Sequence, residues 1–297
     1  MKDGCFIVNK QEGYTSFDVV NEIKKKFKLK KAGHTGTLDV MAKGVLAVCV
    51  NNATRLVEYL TLDDKDYSVI LRLGYKSETL DRTGNVEKTG IPEGLTEAEI
   101  KKVILTFIGK QKQIPPMYSA KKINGKRLYS LARKGITVER EPQVINIKFI
   151  KIEKLEKTED YIDVHFFTTV TKGAYIRSLC DDMAKKIGVD GIMQDLTRTR
   201  AGKFDIIQSK KIADLTESDL LDMESFSPLP VVEIPLSAVP RFMNGNKISL
   251  IELNNNGYSE FANQTVLVKS KGDIIIGAAK ITDNKQSIIE PQKVFKS

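Results

Sequence analysis

The chain has 297 residues, of which 41% are hydrophobic, and a formal net charge of +9. This length and composition allow one or two buried cores, and no apolar run reaches the roughly 18 residues that a membrane-spanning helix needs. Three cysteines far apart and two histidines argue against a disulfide framework and a structural zinc site. We therefore expect a cytoplasmic protein with reduced thiols, no metal and no membrane association.

Helix and strand patterns follow one another along the first two thirds of the chain. Thr15 and Asp18 are spaced as a capping box, and Gly33 can close the helix that they open. After it the pattern predicts a strand at 44–50, a helix at 53–62, a strand from Tyr67, a helix at 96–107 ended by Gly109, a hairpin turn at 124–125, paired strands at 144–153 and 161–170, and a helix at 174–187 stopped by Gly188. This mixture favours an α+β fold over regular βαβ repetition.

A domain boundary is expected near residue 230, where four of the nine prolines fall between 228 and 240. Beyond it, short apolar runs separated by turn dipeptides at 271–272 and 283–284 predict a small β-barrel. We therefore divide the chain into 1–230 and 231–297, and we expect each part to have its own core.

Positive charge is concentrated in two segments. Residues 24–31 carry six lysines and no acid, and residues 110–140 carry nine basic residues against Glu139 alone. Lysines that end a helix complement its dipole, but this role cannot explain both segments. Because Tyr118 and Tyr129 lie among the cations, the pattern favours a nucleic acid, whose phosphates bind cations and whose bases stack on rings.

A loop of small residues, GHTGTLD at 33–39, contains one histidine and a single carboxylate, Asp39. Its glycines and threonines leave room for the backbone of a ligand. From the residues alone, a lone aspartate in such a loop is more often a turn or helix cap than a catalytic acid, so both interpretations stay open. The sequence contains no phosphate loop, dinucleotide fingerprint or nucleophile elbow.

Several ordered motifs resemble those of the TruB-type tRNA pseudouridine synthases, over nearly the whole chain. They are Lys10-x-x-Gly13-x-Thr15-Ser16, GHTGTLD with Gly44, DKDYSVILRLG, PPMYSA, GAYIRSL and LTRTRAGKF. The family isomerises one uridine in the T loop of tRNA to pseudouridine, replacing the N1 glycosidic bond by one at C5. The resemblance implies a catalytic domain with a mixed, largely antiparallel sheet, a PUA-like RNA-binding domain after it, and no metal or cofactor.

The resemblance assigns the chemistry to three residues. Asp39 corresponds to the catalytic nucleophile, and Arg177 to the arginine that pairs with it. An adjacent guanidinium is expected to lower the pKa of this aspartate by roughly 1 to 3 pH units. Tyr67 corresponds to the tyrosine that stacks on the uracil and assists proton removal from C5.

The resemblance also implies how the RNA is held. His34 would enter the space that the flipped nucleotide leaves, and the 110–140 segment would fold over the T stem-loop without base-specific contacts. The full substrate-binding set comprises His34, Tyr67, Tyr175, Leu196, Lys10, Lys121, Lys122 and Arg127. The sequence departs from the family pattern at Gln11, Val40, Lys43 and Lys121. We expect these departures to affect substrate affinity and loop rigidity rather than the type of reaction.

Two other classes of protein remain open. A non-catalytic RNA-binding or RNA-folding protein would need only the basic segments and the β tail, but Asp39, Tyr67 and Arg177 would then occur together by coincidence. A guide-RNA-dependent synthase of the dyskerin type would work inside a ribonucleoprotein, and such relatives usually lack a segment like 110–140. The expected partner is tRNA, bound through its T stem-loop by a monomer that requires no protein partner.

Replacing the lysines of 24–31 or the basic residues of 110–134 with glutamine should weaken tRNA binding and flatten its salt dependence. Each lost phosphate contact should reduce the slope of log affinity against log salt by about 0.7 to 0.9, because fewer counterions are released. Binding titrations over a range of salt concentrations measure this slope. A slope unchanged across several variants would remove these segments from the interface.

Overall fold

The computed structural model describes residues 2–61, 64–119, 121–123, 125–249, 260–282 and 288–295. The α-helices are α1 (Ser16–Lys26), α2 (Val57–Leu60), α3 (Glu97–Leu105), α4 (Leu128–Ala132), α5 (Ile176–Ile187), α6 (Met223–Phe226) and α7 (Val239–Met243). Short 3-10 helices lie at Asn51–Leu56, Ile206–Gln208, Ile212–Asp214, Glu217–Asp219 and Leu236–Ala238. Within these described ranges, no helix is long and apolar enough to cross a bilayer.

The strands of the first two thirds of the chain belong mainly to one sheet. They are β1 (Gly4–Lys10), β2 (Ala32–His34), β3 (Lys43–Val50), β4 (Lys65–Leu73), β5 (Tyr75–Ser77), β6 (Val86–Lys88), β7 (Gly109–Gln113), β8 (Lys122–Ile123), β9 (Lys126–Arg127), β10 (Gln143–Lys157), β11 (Ile162–Val170), β12 (Gly191–Ala201) and β13 (Phe204–Asp205). The later strands are β14 (Val231–Ile234), β15 (Ile248–Ser249), β16 (Thr265–Ser270), β17 (Ile274–Thr282) and β18 (Ile288–Val294).

The large sheet has nine strands, seven of them in the order β1-β3-β12-β4-β11-β10-β7, with β2 paired to β3 and β13 to β12. Its strand pairs are antiparallel except for β3 and β12, which run parallel where Arg198 lies opposite Gly44. The expected α+β class with a mixed, largely antiparallel catalytic sheet is therefore confirmed.

Helix α1 begins as predicted and ends differently. The Asp18 amide donates to Thr15 Oγ1 at 3.0 Å, and the Thr15 amide donates to Asp18 Oδ2 at 2.8 Å, which completes the capping box. The helix ends at Lys26, and Lys28 takes the left-handed conformation, with φ of 52°. Gly33 lies in β2, so the expectation that it closes the helix is wrong.

Most other predicted elements are present. The strand from Tyr67 is β4, the helix at 96–107 is α3, the paired strands are β10 and β11, and the helix stopped by Gly188 is α5. The helix expected over 53–62 is instead a 3-10 helix followed by the single turn α2. Strands β8 and β9 pair as a hairpin on either side of the turn predicted at 124–125, of which Asn124 lies outside the described residues. The turn predicted at 283–284 also lies outside them.

The C-terminal part forms a second sheet of five strands in the order β14-β16-β17-β18-β15, which begins at Val231. This sheet has an apolar cluster of its own around Phe242. However, Leu267 and Phe295 pack in one cluster with Leu56 and other residues of the large sheet and its helices. Each part thus has an apolar cluster of its own, and one further cluster takes side chains from both parts and joins them.

Phe295→Ala should lower the free energy of unfolding by about 3 to 5 kcal/mol, because the ring fills the cluster shared by both parts. Ile274→Ala, in the same sheet but 64% exposed, is the matched control and should change stability by no more than about 0.5 kcal/mol. Thermal and urea unfolding measure both variants. Equal stability of the two variants would show that the shared cluster does not hold the parts together.

Candidate active site

The loop between β2 and β3 forms one wall of a cavity of about 280 Å³. Asp39 lies in this loop, Tyr67 on β4, Leu196 on β12, and Tyr175 and Arg177 at the start of α5, and all five line the cavity. Its volume is close to the lower end of the ~300–1,000 Å³ range of small-molecule sites. Predicted site residues from four distant segments thus meet in one place.

A larger cavity of about 1050 Å³ lies where the C-terminal sheet meets the preceding part. Its walls include Asp222 and Lys269, and none of the predicted site residues lines it. We assign the chemistry to the smaller cavity, because a carboxylate, two phenol rings and the guanidinium groups of Arg177 and Arg198 line it together.

Arg177 holds the carboxylate of Asp39 with two contacts. Arg177 Nη2 donates to Asp39 Oδ1 at 2.9 Å, and Arg177 Nε lies 2.9 Å from Oδ2. The side chain of Arg177 is 6% exposed, whereas that of Asp39 is 34% exposed. The carboxylate is therefore fixed on one side and open to the cavity on the other.

A second carboxylate, Asp81, lies behind Arg177 with Oδ2 at 3.6 Å from Arg177 Nη1. Asp81 is buried, and its Oδ1 accepts hydrogen bonds from Thr79 Oγ1 at 2.7 Å and from the amide and hydroxyl of Thr83 at 2.9 and 2.6 Å. Arg177 also donates to the carbonyls of Thr79 at 3.0 Å and Tyr118 at 2.7 Å. Sequence reasoning missed Asp81, because an aspartate between two threonines indicates only a turn.

Burial raises the pKa of Asp39, and this effect outweighs the attraction of Arg177, which lowers it. The negative charge of Asp81 raises the pKa of Asp39 as well. Arg177 thus lowers the pKa of Asp39 as predicted, but the net pKa lies above the ordinary value because burial has the larger effect. The cause is the withdrawal of the carboxylate from water, which a sequence does not reveal.

Lys10 is fully buried behind the loop between β2 and β3, residues 35–42, which we call the catalytic loop after the role expected of Asp39. Its Nζ donates to the carbonyls of Ala42 at 2.6 Å, Val40 at 3.2 Å and Gln11 at 3.0 Å. Burial lowers the pKa of Lys10 to about 8, against the attraction of Asp39. Lys10 was predicted to bind substrate, but its three protons are all given to backbone carbonyls, so we reassign it to holding the loop.

The first residue of α1 holds the same loop from another side. Ser16 Oγ accepts from the Leu38 amide at 2.8 Å and donates to the Leu38 carbonyl at 3.1 Å. The Gly13 amide donates to the Val40 carbonyl at 2.9 Å. The N-terminal motif Lys10-x-x-Gly13-x-Thr15-Ser16 thus serves the loop that carries Asp39.

His34 and the two tyrosines are placed differently around the cavity. His34 precedes the cavity-lining residue Thr35 but does not itself line the cavity, and burial, followed by the charge of Arg198, lowers its pKa. The ring of Tyr67 is buried on β4 and reaches the cavity. Tyr175 is held by Gln113, whose side chain accepts from the Tyr175 amide at 2.8 Å and donates to its carbonyl at 3.1 Å.

The 110–140 segment contacts the site through Tyr118 and through Ser119, which lines the cavity. Lys121 Nζ lies 3.5 Å from an oxygen of the Gln143 side chain. The side chains of Lys122 and Arg127, both predicted to bind substrate, lie outside the described residues.

The arrangement can support chemistry at a carbon that develops positive charge. A carboxylate that opens into an enclosed cavity can attack such a carbon or stabilise it, and a neighbouring guanidinium fixes its orientation. In the portion of the chain that the structure describes, no three His, Cys, Asp or Glu side chains are grouped to hold a metal ion.

Solved structures share the whole architecture. A chain in a crystal structure of a Cbf5-Nop10-Gar1 complex superposes with a TM-score of 0.71 at 26% identity, over 99% of this chain and 85% of that one. A structure of an H/ACA RNP bound to a substrate RNA containing 2′-deoxyuridine gives a TM-score of 0.70 at 24% identity, with 99% and 85% covered. The fold is thus of the pseudouridine synthase type, with a PUA-like C-terminal part.

Sequence comparison identifies the family. Residues 24–176 match the N-terminal domain of the TruB family pseudouridylate synthases. The tRNA pseudouridine synthase B of Clostridium tetani is 45% identical over 218 residues, or 73% of this chain and 74% of that protein. That of Staphylococcus aureus is 37% identical over 310 aligned positions, which cover 99% and 100%. The chain therefore belongs to the TruB family, and it is an enzyme that isomerises uridine to pseudouridine.

The value of kcat/KM should fall as the pH is lowered, with a midpoint above the ordinary aspartate value of 3.8, because protonation removes the charge from Asp39. Asp81→Asn should move this midpoint to lower pH, because the charge of Asp81 helps to raise the pKa of Asp39. Pseudouridine formation measured across pH gives both midpoints, and circular dichroism at each pH excludes acid unfolding. A midpoint that moves to higher pH in the variant would contradict this account.

Proposed function

We propose that this chain converts the uridine in the T loop of tRNA to pseudouridine. Relatives named tRNA pseudouridine synthase B in Clostridium tetani and Staphylococcus aureus support tRNA as the substrate. The observation that carries the proposal is the pair of Asp39 and Arg177, joined at 2.9 Å beside a cavity that Tyr67 and Leu196 also line.

The reaction breaks the bond between N1 and C1′ of the uridine, turns the uracil over and forms a bond between C5 and C1′. The proton leaves C5 and N1 gains one, so no atom is gained or lost overall. Asp39 can attack the sugar or the base, or stabilise the cationic sugar, and each route needs an ionised carboxylate beside the reacting carbon. The open side of the Asp39 carboxylate supports this role.

The other cavity residues then have complementary roles. Arg177 orients the carboxylate and favours its charged form. Tyr67 stacks on the uracil and assists removal of the C5 proton, while Tyr175 and Leu196 bound the pocket for the base. No metal or cofactor is required in this scheme.

The target base must leave the folded RNA loop before it can enter the cavity, at a cost of a few kcal/mol. His34 adjoins the cavity wall at Thr35, and its lowered pKa favours the neutral ring. We infer that this uncharged ring fills the space that the flipped nucleotide leaves.

The two basic segments supply contacts to phosphates. In the 24–31 segment, Lys26 also has a structural role, since its Nζ donates to the carbonyls of Ile212 and Ala213 at 2.7 and 2.6 Å. We infer that the other lysines of 24–31 and the basic residues of 110–140 hold the T arm, and that residues 231–297 bind RNA outside it.

One experiment distinguishes the proposed function from two alternatives, a guide-dependent synthase and a non-catalytic binding protein. The first alternative is suggested by the likeness to a chain of a Cbf5-Nop10-Gar1 complex, since such a synthase would depend on guide RNA and protein partners. We favour a monomer that acts alone, because the 110–140 segment contacts Arg177 and lines the cavity through this chain's own residues. Incubation of the pure protein with a T-arm stem-loop should yield pseudouridine, whereas a guide-dependent synthase or a binding protein would yield none.

Asp39→Asn should retain the fold and tRNA binding while pseudouridine formation falls below detection, because asparagine keeps the size of the side chain but lacks its charge. Arg177→Ala should leave a slower enzyme or none, because the carboxylate loses its partner. Single-turnover assays on a T-arm stem-loop measure both.

Asp222→Asn is the matched control for this test. Asp222 caps α6 by accepting from the Ser225 amide at 2.7 Å, and asparagine is an equally good cap, so activity should not change. If Asp39→Asn, verified to be free of deamidation, behaves like Asp222→Asn, Asp39 is a structural residue and the binding-protein alternative takes first place.

A further inference from the structure

Arg198 is one of the largest fully buried side chains, and none of the roles assigned so far uses it. It lies on β12, and its Nε donates to the Val45 carbonyl at 2.8 Å. Its Nη2 donates to the Gly36 carbonyl at 3.1 Å, and its Nη1 lies 3.5 Å from the Thr37 carbonyl. One guanidinium thus spans from the beginning of the catalytic loop to the strand that follows the loop.

The backbone of the same residue holds the other end of the loop. Arg198 lies opposite Gly44 in the parallel pairing of β12 with β3. Gly44 has φ of 106°, and a Cβ at this position would lie 2.2 Å from the Arg198 carbonyl oxygen. Only glycine permits this approach, so the close contact of β3 with Arg198 is a built feature of the site.

The charge of Arg198 is balanced by backbone dipoles. Among the residues that the structure describes, no carboxylate forms an ion pair with it, and its recorded hydrogen bonds all go to carbonyls. Its positive charge lowers the pKa values of His34 and Lys10. The guanidinium therefore lies among the groups that surround the catalytic loop and acts on them electrostatically.

We propose that Arg198 is a positioning residue that, together with Lys10 and Ser16, fixes the path of the catalytic loop. It draws the carbonyls of Gly36 and Thr37 towards β3, and this path presents the Asp39 carboxylate to Arg177 and to the cavity. The inference rests on the proposed catalytic role of Asp39. Loss of the guanidinium should displace the carboxylate, and a displacement of about 1 Å can cost on the order of 100-fold in rate.

The test compares Arg198→Met and Arg198→Lys with Arg200→Met. Arg200 lies on the same strand, where it pairs with Asp66 at 2.6 Å and donates to the Gly202 carbonyl, but it makes no recorded contact with the loop. Arg198→Met should lower the single-turnover rate on a T-arm stem-loop on the order of 100-fold while the Kd for this RNA changes by less than about 3-fold. Arg200→Met should keep both values near those of the wild type.

Arg198→Lys separates geometry from charge. Lysine keeps a positive charge in the core, but its single nitrogen cannot reach both Gly36 and Val45, so the rate should be intermediate. If Arg198→Met does not fold, the single-turnover rate and the Kd of Arg198→Lys test the proposal in its place.

Nuclear magnetic resonance of the histidine rings gives a second readout, because the chain has only two histidines. Removing the Arg198 charge should raise the pKa of His34. A general loss of stability would not produce this change in a folded variant.

Three results would overturn the proposal. If Arg198→Met keeps the wild-type rate but binds the RNA more weakly, Arg198 is an RNA contact. If Arg200→Met loses as much rate as Arg198→Met, the loss reflects a general effect on stability. An unchanged pKa of His34 would show that the guanidinium does not lie at the loop in solution. Failure of the proposed function is distinct, since the wild-type protein would then form no pseudouridine while the His34 measurement could still be made.

Discussion

The contact between Arg177 and Asp39 is the interaction on which the active site depends. Removing two charges from water costs free energy, and their attraction offsets this only when further hydrogen bonds satisfy the remaining donors. The raised pKa of Asp39 records that cost. Arg177 meets the requirement by donating to the carbonyls of Thr79 and Tyr118, each from a different segment of the chain. The same bonds that stabilise the buried guanidinium therefore tie the segments of Thr79 and Tyr118 to the pair that Arg177 forms with Asp39.

The catalytic loop poses a different physical problem. Its glycines and threonines leave room for a nucleotide, but they offer little apolar surface by which the loop could be packed in place. Leu38, Met41 and Ala42 of this loop pack in the main apolar cluster, and the backbone carbonyls are further points of attachment. Buried cations bind these carbonyls: Lys10 holds Val40 and Ala42, and Arg198 holds Gly36. Lys10 and Arg198 thus serve the protein backbone of this loop, whereas Arg177 binds the carboxylate itself.

Sequence reasoning succeeded where the signal is local. The capping box at Thr15 was predictable because its partner, Asp18, lies three residues away, and the strand at Tyr67 because its apolar residues alternate. The resemblance to the family brought the cavity residues together, but Asp81 and Arg198 escaped notice because their roles depend on contacts with distant segments. The net upward shift of the Asp39 pKa and the apolar cluster shared by both parts were not predicted for the same reason. Both depend on burial, and burial is decided by packing between distant segments. Prolines near residue 230 mark a change of sheet, but one apolar cluster still takes side chains from both sides of this boundary.

Strand β3 connects the catalytic loop with the C-terminal sheet. Val45, Ala47 and Cys49 face the cluster that also contains Leu267 and Phe295, whereas the alternate residues of β3 pack against α1 and its neighbours. Because the loop ends where β3 begins, the residues that fix its end are anchored by side chains from both parts of the protein. A rotation of the C-terminal part would have to break this apolar cluster, which a flexible linker would not require. The two parts are therefore joined through packing, which fixes the C-terminal sheet relative to the loop that carries Asp39.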